Sequence, residues 1–341
     1  MRAIEFTRER AARVVDMEIP VPGQGEVLVR ITSAGICGSD LTALGGKHPF
    51  RVPPLISGHE GGGIVESVHD SVSADWVGAR VAVEPQQACR TCTSCKLGIY
   101  NLCRNRLMLG MQNWPGTLAE YIVAPEECLH RVSNTVPIEL LALAEPLAVA
   151  HHAVCKVPSV TGKRVAVLGG GAIGGLIVHF LAERRAESIV VTDVRPHNRQ
   201  LGLELGATAA VDPLTSGWKD AAAGYAAAGE FDIVFVAAAV PHIVDDAIEL
   251  LAPQGIVVQV GLFSRSIDFD IAAMQQYEKL IVGSNIYTAF DFVAAVETLE
   301  NNVEKLQRLV TSQTSLEAAA DFLTNKALGR VDEIVKMIVV P

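Results

Sequence analysis

The stretch Arg164–Gly175, RVAVLGGGAIGG, constrains this chain more than any other. An apolar β-branched run stops abruptly in glycines, and Leu176, Ile177 and Val178 resume an apolar pattern after them. That order predicts a buried strand, a tight turn and a helix. Gly169, Gly171 and Gly174 stand at G-x-G-x-x-G spacing. The first glycine permits a sharp turn, the second lets the backbone approach a pyrophosphate, and the third lets the helix pack closely. The N–H groups and positive dipole end of such a helix favour phosphate. Gly169, Gly171, Ala172, Ile173 and Gly174 are therefore the expected cofactor-binding turn. Asp193 ends a second apolar run, 24 residues beyond Gly169, close to the spacing at which an acid receives an adenosine ribose. A carboxylate there accepts from a free 2′-hydroxyl and repels a 2′-phosphate, which favours NAD over NADP; Arg195 weighs the other way.

Val165–Ala182 is apolar enough to raise the question of a membrane span. Five glycines between 169 and 175 and His179 beyond them fit a strand and helix better. At 341 residues the chain has room for about two domains. Half the residues are hydrophobic and 19% are charged, a balance that supports a sizeable core and argues against disorder. The net charge of −10 argues against nucleic acid or an anionic membrane as partner. The start, MRAIEFTRER, lacks the apolar stretch of a secretory signal, so a cytoplasmic enzyme-like chain is expected.

The seven cysteines are an odd number, and four of them fall within fifteen residues. Without a signal peptide, that pattern points to metal or catalysis rather than to disulfides. Cys89, Cys92, Cys95 and Cys103 form C-x2-C-x2-C-x7-C. Four thiolates close a tetrahedral shell around zinc with no open position, so the site would be structural. Iron–sulfur ligation is the rival reading; ferredoxins place the next cysteine after three residues and follow it with proline, whereas here the spacer is seven and Arg104 follows. Cys128 and Cys155 read as buried small residues.

Eleven of the sixteen prolines lie before residue 160, and the short runs Ala3–Phe6, Val14–Ile19, Val27–Ile31, Gly61–Val68, Arg80–Val83 and Leu118–Val123 read as strands of a turn-rich region. Cys37-Gly38-Ser39-Asp40 and Gly58-His59-Glu60-Gly61-Gly62-Gly63 lie within it. Each pair of ligand types is weak alone, since a buried cysteine or a satisfied histidine is commoner. After residue 151 strands and helices alternate, with strands expected at Ala209–Val211, Phe231–Ala237, Ile256–Val260 and Lys279–Gly283. With the two already named they make a six-strand doubly wound sheet. The alanine-rich Ala221–Ala228 reads as a helix and its end. Beyond Ser284, Asp291–Leu299, Val303–Val310 and Leu316–Leu323 read as helices and Arg330–Val340 as a strand. Such a tail has little to pack on and is expected to return to the first domain. The boundaries read are 1–150, with a cysteine lobe at about 85–110, then 151–284, then 285–341.

Together, GHEGGG at 58–63, CGSD at 37–40, the four-cysteine lobe and GGGAIGG resemble the zinc-dependent medium-chain dehydrogenases, particularly the sorbitol (polyol) and threonine dehydrogenase branch. The resemblance spans essentially the whole chain. It implies an α/β fold in which a GroES-like catalytic domain is split around a Rossmann NAD-binding domain, and two Zn2+ per chain. It implies that Cys37, His59, Glu60 and Glu145 surround a catalytic zinc, that Asp40 orients them, and that Ser39 takes the alcohol proton. It further implies a small alcohol or ketone substrate and a homo-oligomer, tetramer or dimer; from its position at the end of a strand, backbone near Val260–Leu262 is expected against the nicotinamide. One departure stands out: Thr42 occupies the place of a relay histidine, which leaves water, ribose hydroxyls or His48 to finish the relay. Glu60 and Glu145 make the site polar, suiting a polyol, sugar or cyclitol. Gln112, Asn113 and Trp114 could line such a pocket or form an ordinary surface loop. A threonine-type amino-alcohol dehydrogenase and a non-catalytic NAD(H)-binding protein on the same fold are the alternatives.

Overall fold

The computed structural model describes residues 1–226, 229–263, 265–327 and 334–341. Its contacts divide the chain into two units, Met1–Leu147 with Thr288–Pro341, and Ala148–Tyr287.

The first unit is built on the strand Glu26–Ile36, whose alternating sequence EVLVRITSAGI buries nearly every residue. It pairs antiparallel with Glu60–Val68, with Tyr121–Pro125 and with the C-terminal strand Lys336–Val339. The sheet continues through Arg80–Val83 to Leu129–Arg131 on one side and to Val310–Thr314 on the other. The chain's tail thus completes a sheet begun some three hundred residues earlier, through pairs such as Met337 with Ile36. The glycines after His59 are there for contact. A Cβ at Gly61 would lie 2.4 Å from Thr117, at Gly62 2.4 Å from Leu141, and at Gly63 2.0 Å from the Arg30 carbonyl. Side chains at these positions would push the strand out of the sheet. The helix Leu316–Ala327 closes the core with Leu316, Ala319, Ala320 and Leu323, one face at helical spacing. Each leucine buried this way contributes about 1.5–3 kcal/mol.

The second unit holds a six-stranded, all-parallel sheet in the order Ala209–Val211, Ser188–Thr192, Arg164–Leu168, Phe231–Val236, Leu251–Gln259, Leu280–Gly283. In chain order that is third, second, first, fourth, fifth, sixth, the doubly wound arrangement of a dinucleotide-binding fold. The strand Arg164–Leu168 is apolar at four of five positions and buried among its neighbours.

Two elements differ from the sequence reading. Val310–Thr314 is a strand rather than the end of a helix: the helix stops at Leu306 and a short 3-10 turn, Gln307–Leu309, leads into it. Val303, Leu306, Leu309 and Val310 have helical spacing, and the polar T-S-Q-T carries no strand signal. The strand expected from Ile256 begins instead at Leu251: Pro253 and Gly255 lie inside Leu251–Gln259, whose pairing slips between Phe231 and Ile233 to admit them. The alanine-rich helix ends at Ala223, and Ala227, Ala228 and Arg330 lie outside the described residues. Among those described, no helix is long and apolar enough to cross a membrane.

Candidate metal centres and dinucleotide cradle

Cys37 follows the strand Glu26–Ile36 and His59 precedes the strand Glu60–Val68. Because Gly35 pairs with Glu60 in register, the two ends meet. Gly35 makes room there: a Cβ would fall 2.0 Å from a Glu60 carboxylate oxygen. Ligand atoms of Cys37, His59 and Glu60 lie within 4.8 Å of one another. Glu145, in the helix Ala144–Val154, is 6% exposed but lies outside that cluster.

Cys37 is also the first residue of a helix cap. The helix Gly38–Leu44 begins there with extended backbone, and the Cys37 amide donates to Asp40 Oδ2 at 2.9 Å. Asp40 is fully buried and accepts at Oδ1 from Ser57 Oγ at 2.8 Å and from Arg51 Nη1 at 3.0 Å. Burial pushes its carboxyl up, but His59, the Arg51 guanidinium and the Cys37 amide outweigh burial and hold it well below the usual carboxylate range. His59 Nδ1 lies 3.6 Å from Asp40 Oδ1. One carboxylate therefore fixes the backbone of one ligand residue and stands beside the ring of another, the kind of support that orients metal ligands.

Lys336 has no counterpart in the sequence reading. Its Nζ lies 2.7 Å from both oxygens of Glu60 and donates to the Ile36 carbonyl at 3.2 Å, with the side chains 3% and 1% exposed. Burial works against the ammonium, yet Glu60, Cys37 and Glu145 raise its pKa overall. The signal was present: a single charge inside the apolar run Ile334–Val340. Thr42 Oγ1 donates to the Gly38 carbonyl at 3.0 Å, which ties it to its own helix.

In the cysteine lobe the sulfurs of Cys89 and Cys95 lie 3.9 Å apart, Cys92 and Cys95 3.5 Å, Cys92 and Cys103 3.8 Å, and Cys89 and Cys103 3.4 Å. A tetrahedral Zn–S4 shell requires sulfurs about 3.8 Å apart. The donor set fits zinc. The Thr91 hydroxyl and the amides of Thr91 and Cys92 pull Cys89 down to about 5, whereas desolvation and neighbouring sulfurs push Cys95 up to about 12. A divalent cation resolves that conflict by holding all four as thiolates.

The glycine turn has the conformation its spacing requires. Gly169 has φ +102°, and a Cβ on Gly174 would sit 1.7 Å from the Gly169 carbonyl oxygen. A Cβ on Gly171 would meet nothing within 4 Å, so the open side of the turn lies there, at the start of the helix Ala172–Glu183 that carries Ala172 and Ile173. Asp193 accepts the Gly170 amide at 2.9 Å and the Arg195 amide at 2.8 Å. Those two bonds fix the carboxylate beside the turn and leave acceptor capacity unused. Arg199 donates to the Asp193 and Val194 carbonyls and pairs with Asp212 at 3.1 Å. Val260 follows the strand Leu251–Gln259, its amide on the Val236 carbonyl.

Two other readings change. Trp114 is 9% exposed, packs in the first unit's core and donates from Nε1 to the Val123 carbonyl, so its ring is not free to floor a sugar. Cys155 is exposed rather than buried, and Arg184 donates to its sulfur at 3.4 and 3.5 Å. The single-turn offset between Cys155 and His151 brings an imidazole to 3.8 Å as well.

Residues 23–134 match the family model of the alcohol dehydrogenase GroES-like domain, and residues 172–301 match that of zinc-binding dehydrogenases. A protein of Emericella nidulans named "Probable D-xylulose reductase A" is 30% identical over 337 residues, covering 96% of this chain and 94% of that protein. The sorbitol dehydrogenase of Halalkalibacterium halodurans is 31% identical over 307 residues, covering 87% of each. A solved structure from Sinorhizobium meliloti, described as a zinc-binding dehydrogenase and bound to NADP, superposes with a TM-score of 0.93 at 30% identity, covering 100% of this chain and 99% of that one. With the first unit's sheet completed by the chain's tail, the six parallel strands and the ligand-bearing strand ends in place, this chain belongs to the zinc-dependent medium-chain alcohol dehydrogenases, the family of polyol-oxidising oxidoreductases.

Proposed function

We infer that this oxidoreductase removes a hydride from the carbinol carbon of a secondary alcohol, a polyol, sugar or cyclitol, and delivers it to NAD. The observation that carries this reading is the convergence of Cys37, His59 and Glu60 ligand atoms within 4.8 Å, beside the Asp40 network. Cys37 and His59 are assigned as ligands of a catalytic zinc, with Glu60 and Glu145 as the acids that complete or support its coordination. When bound, zinc supplies Lewis-acid chemistry that makes an alcohol acidic near neutral pH. Ser39, on the first turn of the helix that Cys37 opens, would take the alcohol proton at Oγ as its own hydroxyl proton passes on to water or the ribose hydroxyls. Asp40 holds the Cys37 backbone and the His59 ring in place. Lys336 neutralises the buried Glu60, so the site keeps a net charge that tolerates a developing alkoxide.

Gly169, Gly171, Ala172, Ile173 and Gly174 hold the dinucleotide, and Val260 lies at the strand end assigned to the nicotinamide. Asp193 takes the ribose hydroxyls, which favours NAD; the NADP in the Sinorhizobium meliloti neighbour makes the comparison of the two cofactors the direct check. Cys89, Cys92, Cys95 and Cys103 hold a second, structural zinc. A homo-oligomer, tetramer or dimer, and a cytoplasmic setting accompany this assignment. The test is Cys37→Ser: it should lose turnover by at least about 100-fold while NAD affinity, read by fluorescence titration, stays within about twofold. Retained turnover would remove Cys37 from the chemistry, and lost NAD binding with an intact fold would refute the division between metal end and cradle.

A further inference from the structure

The residue in contact with Ser39 is neither Thr42 nor His48 but Arg51, whose side chain is 4% exposed. Its Nη1 lies 3.3 Å from Ser39 Oγ, 3.0 Å from Asp40 Oδ1 and 2.8 Å from His59 Nδ1. The loop that carries it is tied back by its own amides: those of Phe50 and Arg51 donate to His48 Nδ1 at 3.2 and 3.0 Å. Those bonds tie the loop that carries Arg51 to His48 and occupy the imidazole's Nδ1. Thr42 is spent on the Gly38 carbonyl. We propose that Arg51 is the positioning residue of this site, holding the Ser39 hydroxyl and the Asp40 carboxylate in register, and through Asp40 the His59 ring, where the motif lacks a relay histidine. The proposal rests on the zinc-dehydrogenase reading above.

The chemistry of one nitrogen makes the arrangement selective. Nη1 has two hydrogens and faces Ser39 Oγ, Asp40 Oδ1 and His59 Nδ1, the last an acceptor only when it carries no hydrogen, so it serves two at most. An imidazole that offers Nε2 to a cation carries its hydrogen on Nδ1 and can only donate there; the acceptor facing it is Asp40 Oδ1, 3.6 Å away. Arg51 is then left with Asp40 and Ser39. A guanidinium does not give up its proton in proteins, so Arg51 orients the Ser39 hydroxyl without carrying the alcohol proton. Lysine, a point charge without the planar fork, reproduces the charge but not the simultaneous contacts.

The experiment compares wild type, Arg51→Met and Arg51→Lys as full-length protein, with the exchangeable zinc replaced by cobalt. Three readouts are taken: the cobalt visible spectrum, the rate of metal release to dipicolinate, and kcat and KM for a polyol and for NAD. Arg51→Met, folded by circular dichroism, should release metal roughly 10- to 100-fold faster, shift the cobalt bands and lower kcat, with KM for NAD unchanged. Arg51→Lys should fall between. Wild-type release and spectrum in a folded Arg51→Met would overturn the proposal. If that variant does not fold, Arg51→Lys decides by the same readouts, and wild-type values in all three overturn it. A wild-type protein that takes up no exchangeable metal is a separate result, which overturns the zinc reading and this proposal with it.

Discussion

Lys336→Met removes the ammonium that both oxygens of the buried Glu60 touch at 2.7 Å. With the pair 3% and 1% exposed, water cannot replace the lost partner, and the carboxylate is left charged in the interior. Breaking such a buried pair from one side costs about 3–5 kcal/mol. In a unit of this size each kcal/mol lowers the melting midpoint by about 2–4 °C, so a fall of about 6–20 °C is expected. The control is the double variant Lys336→Met with Glu60→Gln, which removes both charges and should recover most of the loss, because a neutral replacement carries no stranded ion. Thermal and urea unfolding of the zinc-loaded protein measure both. A loss below about 1 kcal/mol in the single variant, or a double variant no better than the single, would refute the pairing. A small loss with zinc that becomes large after chelation would show instead that the metal is Glu60's partner.

Cys92→Ser should lower thermal stability and lose one zinc per chain while leaving NAD affinity intact, since a closed thiolate site gives its binding energy to folding; an unchanged midpoint would reject the structural role. Asp40 has a depressed folded-state pKa, so its stabilisation is present above its unfolded value of about 4 and is lost as pH falls through the folded one. The stability gap between wild type and Asp40→Asn, measured by urea midpoints, should therefore be full at pH 5–7, as about pH 4 is the unfolded value, and narrow only in stronger acid; a gap that closes near neutrality would contradict the assignment. Burial pushes the Cys155 thiol up, but His151 and Arg184 outweigh it and bring the pKa below that of an ordinary thiol. Iodoacetamide should accordingly modify Cys155 faster than a model thiol at neutral pH, and Arg184→Ala should slow it; equal rates would show that the guanidinium does not reach the sulfur.

Much of this architecture was legible because its signals are local. The glycine turn announces itself, since the φ of Gly169 and the 1.7 Å approach at Gly174 tolerate no other residue. The six parallel strands are short apolar runs between helices, and the cysteine spacing places four sulfurs in one small lobe. What escaped depends on distant partners. Val310–Thr314 is polar and becomes a strand only because Lys336–Val339 lies beside it. Lys336 meets Glu60 across 276 residues, and Arg51 gains its meaning from Asp40, Ser39 and His59 around one nitrogen. Trp114 looked available because it lies near Pro115 and Gly116, yet the carbonyl of Val123 and the first unit's core hold it. Periodicity reports which side of an element is buried, and not which buried charge finds which partner.

On the proposed function this chain holds one exchangeable and one structural zinc, and the exchangeable one serves alcohol oxidation. Zinc content per chain, measured before and after mild chelation alongside NADH formation on a panel of polyols, sugars and amino alcohols, decides whether it does. Two zincs, with activity lost together with the more exchangeable one and restored by its return, is the predicted result. One tightly held zinc and no turnover on any alcohol would contradict it, leaving the cysteine lobe as the metal site and the glycine cradle as a binding module without this chemistry.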